Sequence, residues 1–187
     1  MPRVKTITDE DALERALGFL MEHGPQQFTL ARVGRAVGLS APTLIQRFGS
    51  KQILLERVLE LATRRAESAA ATPSGDRDPR AALLDWWGEA GSAFRSREHV
   101  AGNLAMLIED LVDERRRSLA LRHIDALELK TRALLEQMGS PDPSAHARII
   151  EAQWNGLVIQ WALRGEGPLD AWVTRGLERL LDELALS

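Results

Sequence analysis

Between Phe28 and Lys51 the chain carries two short apolar-periodic stretches separated by a single glycine turn. Leu30, Val33 and Val37 fall at i, i+3 and i+7, one face of a helix. Gly34, next to Val33, leaves room for a second helix to cross closely. Gly38 ends the first helix where a positive φ is needed, which costs a residue with a side chain more than it costs glycine. Leu39 turns inward, and Ser40 stands where an N-cap is wanted. Pro42 is tolerated in the first turn of the next helix, because the early N–H groups there have no intrahelical partner. Leu44 and Phe48, at i and i+4, point inward. This order of signals predicts a helix-turn-helix.

The same spacing leaves Ala41, Pro42, Thr43, Gln46 and Arg47 on the outer face of the second helix. Such a face suits the major groove of DNA. Gln and Arg match adenine and guanine edges bidentately, and Pro, Ala and the Thr methyl match thymine methyl groups. Lys51, at the start of the following helix, is placed for a phosphate. The alternative is a helical hairpin packed for structure alone. The joint agreement of turn glycine, crossing position, cap and spacing favours the DNA reader.

A net charge of −3 argues against a general nucleic-acid binder. The distribution argues the other way. Residues 25–65 hold seven basic side chains (Arg32, Arg35, Arg47, Lys51, Arg57, Arg64, Arg65) against Glu56 and Glu60. A local basic patch is what a phosphate-binding surface needs.

Residues 10–60 resemble the DNA-binding domain of the tetracycline-repressor-like (TetR/AcrR) family. The matching stretches are Ala12-Leu13 through Met21-Glu22-His23-Gly24, then Thr29, Val33-Gly34-Arg35-Ala36-Val37-Gly38-Leu39-Ser40, Pro42-Thr43-Leu44, Phe48-Gly49-Ser50-Lys51 and Leu54-Leu55. The resemblance implies that Thr29, Thr43 and Lys51 touch phosphates and that residues 41–47 read bases. The expected DNA-binding set is thus Thr29, Ser40, Ala41, Pro42, Thr43, Gln46, Arg47 and Lys51. One departure stands out. Ile45 occupies a position where the family usually has an aromatic, most often Tyr, and isoleucine cannot hydrogen-bond a phosphate. Arg47 is the neighbour able to restore that contact.

The rest of the chain also reads as helix, so an all-α fold is expected, with a helix-turn-helix domain over 1–52 and a helical ligand-binding and dimerisation domain over 53–187. Residues 1–7 read as an arm carrying Arg3 and Lys5, and Thr8 with Asp11 caps a first helix ending at Gly24-Pro25. Ser50 caps a long helix to about Ala71. Asp78-Pro79 opens a helix to about residue 96, followed by helices over about 97–113, 114–138, 143–164 (capped by Asp142) and 168–184. No alternating strand pattern occurs.

The last two helices carry wide apolar arcs. Leu157, Val158 and Trp161 on one, with Val173, Leu177, Leu180, Leu181 and Leu184 on the other, exceed what one small core needs. The excess predicts a homodimer joined through a four-helix bundle, which would present two recognition helices to a palindromic double-stranded site. The alternative is burial within one chain. A second cluster, Trp86, Trp87, Phe94, Met106, Leu107 and Trp154, has Asn103, Glu109, Asp110 and Asn155 as candidate polar groups and is interrupted by Gly88, Gly91 and Gly102. The glycines either let helices touch or open a cavity. The resemblance favours a cavity for a small apolar or amphipathic effector.

No cofactor, metal site or catalytic centre is expected. The four histidines are scattered, and cysteine is absent. Neither a phosphate loop nor a serine elbow occurs. Without cysteines, a membrane-length apolar run or a signal-peptide core, the chain is expected in the cytoplasm. The reading is therefore a ligand-released repressor. The alternative is a helical ligand- or partner-binding dimer with a degenerate DNA reader.

Overall fold

The computed structural model describes residues 7–73, 75–92, 94–165 and 167–186. The arm expected over 1–7 lies outside them except for Ile7. Nine α-helices run through the described residues. α1 (Asp9–His23) is closed by the expected capping box, with the Thr8 hydroxyl accepting from the Asp11 N–H and the Asp11 carboxylate accepting from the Thr8 N–H. A single 3-10 turn (Pro25–Gln27) leads to α2 (Leu30–Val37) and α3 (Ala41–Phe48). α4 (Lys51–Ala71) follows, then α5 (Pro79–Gly91), α6 (Arg97–Val112), α7 (Glu114–Gln137), α8 (Pro143–Arg164) and α9 (Leu169–Glu183).

Two apolar cores organise these helices. The first packs Ala16, Phe28, Val33, Val37, Leu44, Phe48, Leu54 and Val58, so α1–α3 close over the first half of α4. It takes in residues beyond 52, and the boundary expected there falls inside a continuous helix. The second core gathers Leu83, Trp87, Leu134, Leu135, Ile150, Val173 and Leu177 from α5, α7, α8 and α9. Fully burying one such side chain stabilises by about 1.5–3 kcal/mol, and each core buries several. α4 joins them, packing on α1 and along α7. Arg122 of α7 forks onto Glu67 of α4 with contacts of 2.9–3.1 Å.

A second connection between the cores runs through α6, which lies on the Pro25–Gln27 turn. There a Cβ on Gly102 would stand 3.0 Å from Pro25 Cγ, and one on Gly24 would stand 2.6 Å from His99 Cδ2. Each side supplies a glycine for the other's ring.

Two expectations are corrected. The helix expected over 79–96 ends at Gly91. The Ser92 N–H closes back on Gly88 and Glu89, and Ser96 opens α6 by accepting from the His99 N–H. The expected dimer face is largely the core of a single chain. Val158, Trp161, Val173, Leu177 and Leu181 are buried under α5, α7, α8 and α9, with Leu157, Leu180 and Leu184 packed partly against them. The Trp161 indole N–H also donates to the Gly167 carbonyl at 2.9 Å.

Candidate nucleic-acid interface

α2 and α3 meet at a turn fixed by local chemistry. Gly38 takes φ 85°, and both its N–H and that of Leu39 donate to the Gly34 carbonyl at 2.9 Å. A Cβ on Gly34 would lie 2.5 Å from the Leu39 carbonyl oxygen, so the close crossing needs glycine. Arg15 of α1 donates to the Val37 carbonyl at 2.9 Å, satisfying an acceptor at the end of α2. Thr29, Ser40 and Ser50 cap α2, α3 and α4, each accepting from the N–H three residues on.

Leu44 and Phe48 anchor α3 in the first core. On its far side Pro42, Ile45 and Gln46 are exposed, while Ala41 and Thr43 are half-buried. The Thr43 hydroxyl is 2.7 Å from that of Ser40. Lys51, Arg32 and Arg35 are exposed, as are Thr29 and Ser40. These are groups able to reach phosphate oxygens.

Arg47 does not face outward as expected. Its guanidinium lies 2.6 Å from Asp9 and donates to the Ile7 carbonyl at 2.8 Å, which turns it back on the start of α1. The basic patch is correspondingly smaller. Arg65 pairs with Glu14, and Arg57 lies over the Phe48 ring at 5.8 Å. Asp9 and Glu14 are distant in sequence from the basic run they neutralise. Only folding brings them together.

The expected effector residues are spread between the second core and the outer side of α6. Trp87 is fully buried, and its indole N–H donates to Thr131 at 3.1 Å. Trp154 donates to the Trp87 carbonyl at 3.0 Å, and its ring packs 5.6 Å from that of Trp87 and 5.9 Å from Phe94. The three rings therefore fill the space in which a cavity was expected. Asn103 and Met106 are half-buried on α6, and Leu107 is exposed. Asp110 meets Arg116 at 2.7 Å, at ion-pair distance without hydrogen-bond alignment. Burial pushes the Asp110 carboxyl up against the pull of that arginine.

Of the expected effector residues only Trp86 lines a described cavity. That cavity, about 360 Å³, lies between α4, α5 and α7 and is also lined by Asp85, Glu89 and Lys130. The Trp86 indole N–H itself is buried, without a hydrogen-bond partner among the described residues. A larger cavity of about 640 Å³ between α4 and α7 was not anticipated. Arg57, Glu60, Arg116 and Arg122 are among its lining residues. Among the described residues no three His, Asp or Glu side chains are grouped to hold a metal ion. No described helix is long and apolar enough to cross a membrane.

Residues 12–58 match the model of bacterial regulatory proteins of the tetR family. Over 177 residues the chain is 30% identical to the HTH-type transcriptional regulator BetI of Agrobacterium fabrum, covering 88% of this chain and 82% of that protein. A tetR-family regulator from Streptomyces coelicolor superposes with a TM-score of 0.69 at 18% identity, over 94% of this chain and 81% of the other. A putative transcriptional regulator from Saccharomonospora viridis, solved in complex with choline, superposes with a TM-score of 0.68 at 18% identity, over 92% of this chain and 94% of the other.

Proposed function

Because the chain belongs to the tetR family of bacterial regulatory proteins, we propose that this DNA-binding transcriptional regulator is a cytoplasmic homodimeric repressor. It holds a palindromic operator until a small apolar or amphipathic effector binds its C-terminal helices. The observation that carries the reading is the face of α3. Leu44 and Phe48 are buried, while Pro42, Ile45 and Gln46 stand exposed on a helix pinned by its cap and by the Gly34 crossing. In this reading Pro42 and Gln46, with Ala41, meet bases. Thr29, Ser40, Thr43 and Lys51 meet the backbone, and Arg47 holds α3 in place. No catalytic step is assigned.

The proposed dimer uses a different face from the one expected. Ile149, Ala152, Gly156, Ile159 and Leu163 are exposed on α8 at helical spacing, and a Cβ on Gly156 would meet nothing within 4 Å. An apolar stripe with a glycine at its middle suits close packing against a second copy. Effector coupling requires tighter binding to the DNA-incompetent state. α6 and α4, which touch both cores, are the elements able to carry it. The fold neighbour holding choline supports a small-molecule ligand, and the cavity lined in part by Trp86 is the place proposed for one.

The test is recovery of DNA fragments by the purified protein at physiological salt, with its mass in solution measured alongside. Enrichment of one palindromic motif by a dimer supports the reading. Failure to enrich any sequence refutes it.

A further inference from the structure

We infer that α3 reads A·T pairs through thymine methyl groups, with Ile45 as the main apolar contact and Gln46 as the adenine reader. The inference rests on the proposal that α3 enters the major groove. The sole cation of α3 is Arg47, and its guanidinium is engaged by Asp9 and the Ile7 carbonyl. The helix therefore has no arginine fork for guanine O6 and N7, the commonest specific contact to a G·C pair.

What remains on the outer face is apolar or neutral. Ile45 is 48% exposed and belongs to neither core. A β-branched residue adds little to the stability of a short helix. Its exposed side chain is therefore apolar surface on the outer face of α3 that the fold does not use and that a partner can cover. The thymine C5-methyl is the one apolar group among the major-groove base edges, and A·T pairs alone carry it. Pro42, three residues before Ile45, extends the apolar surface. Gln46 is the one exposed amide of α3 and suits adenine N6 and N7. Ile45 is thus a specificity residue in its own right, and the phosphate contact that tyrosine would make at this position has no substitute on α3.

The experiment selects binders from a random duplex library. Each thymine of the recovered site is then replaced singly by deoxyuridine, which removes only the methyl group. Wild type is expected to recover a half-site with A·T pairs at its centre. At one or more thymines it should bind the deoxyuridine duplex about four-fold more weakly, the value of one buried methyl. Ile45→Ala, an exposed change that leaves both cores intact, should bind thymine and deoxyuridine alike at one of those positions. Lys51→Ala should weaken both duplexes equally. A G·C-centred half-site, indifference of the wild type to deoxyuridine, or an unchanged deoxyuridine penalty in Ile45→Ala overturns the inference while leaving the regulator reading intact. Recovery of no motif overturns both.

Discussion

Arg47 of α3 and Asp9 of α1 meet at 2.6 Å, across 38 residues of sequence. The contact fixes α3 against the first turn of α1 and removes a cation from the surface proposed to face DNA. Arg47→Ala should therefore cost about 1 kcal/mol of stability, the value of a partly exposed ion pair with a hydrogen bond to a carbonyl. It should weaken binding to all duplexes by a similar factor, and Asp9→Asn should reproduce most of the effect. Urea unfolding and titration of a selected and a scrambled duplex check this. A loss confined to the selected duplex would return Arg47 to the base-reading set.

Gly34→Ala tests the crossing. The added Cβ meets a carbonyl oxygen at 2.5 Å, and backbone cannot rotate away as a side chain would. The expected loss is about 1–3 kcal/mol. Gly18→Ala, where a Cβ would meet nothing within 4 Å, is the control and should be neutral or slightly stabilising. Thermal melts of the two variants give the comparison.

At the second connection between the cores, Gly102→Val should push on Pro25 and Gln26, which lie just ahead of the α2 cap Thr29. Stability should fall by about 1–3 kcal/mol, and DNA affinity should fall with it. Pro25→Ala in the same chain should recover part of both. Recovery of neither would show that α6 does not act on the helix-turn-helix through this turn.

The dimer proposal is tested by Leu163→Glu on the α8 stripe. Leu163 is 74% exposed, so the change should leave helicity and melting of the single chain almost untouched. Sedimentation should show a monomer, and operator affinity should drop about a hundred-fold as the second half-site contact is lost. A dimer that persists moves the interface elsewhere.

A carboxylate cluster gives the pH dependence. Glu151 of α8 is held above its ordinary pKa by burial first and by Glu128 and Asp125 of α7 next, with Asn155 opposing. A raised acid pKa means the folded chain binds its proton more readily. The charged form therefore costs stability at neutral pH, and that cost disappears as pH falls through the folded pKa to below the ordinary 4.5. Glu151→Gln should melt higher than wild type at pH 7, with the gap closing on acidification. Burial lowers the His123 pKa, so His123 destabilises both proteins as pH falls, and its effect cancels in the difference. A gap independent of pH would contradict the assignment.

The legible parts of this fold were local ones. Thr8, Ser40, Ser50, Asp78 and Asp142 cap helices as their spacing implied, since a cap needs only the next three residues. Gly34 and Gly38 likewise specify their turn alone. Arg47 was misplaced because its partner is remote in sequence. Most of the expected dimer face packs inside one chain because periodicity reports that Val173, Leu177 and Leu181 are buried, but not by what. The true outer stripe of α8 alternates Ile149, Ala152, Gly156, Ile159 and Leu163 just as regularly, but the richer buried arc hides it. The packing within the cluster of Trp86, Trp87, Phe94, Met106, Leu107 and Trp154 was hidden for a related reason. Three large rings can fill a space as readily as line it, and ring geometry decides between the two.

The central claim is that the α3 face discriminates sequence while the flanking groups supply affinity. Titration of one selected and one scrambled duplex with wild type, Gln46→Ala and Lys51→Ala tests it most directly. Gln46→Ala should lose about 1–3 kcal/mol on the selected duplex alone. Lys51→Ala should weaken both duplexes equally and make the salt dependence shallower by about one unit of slope. If Gln46→Ala weakens both duplexes alike, or leaves both unchanged, α3 is not the reading helix and the account is wrong.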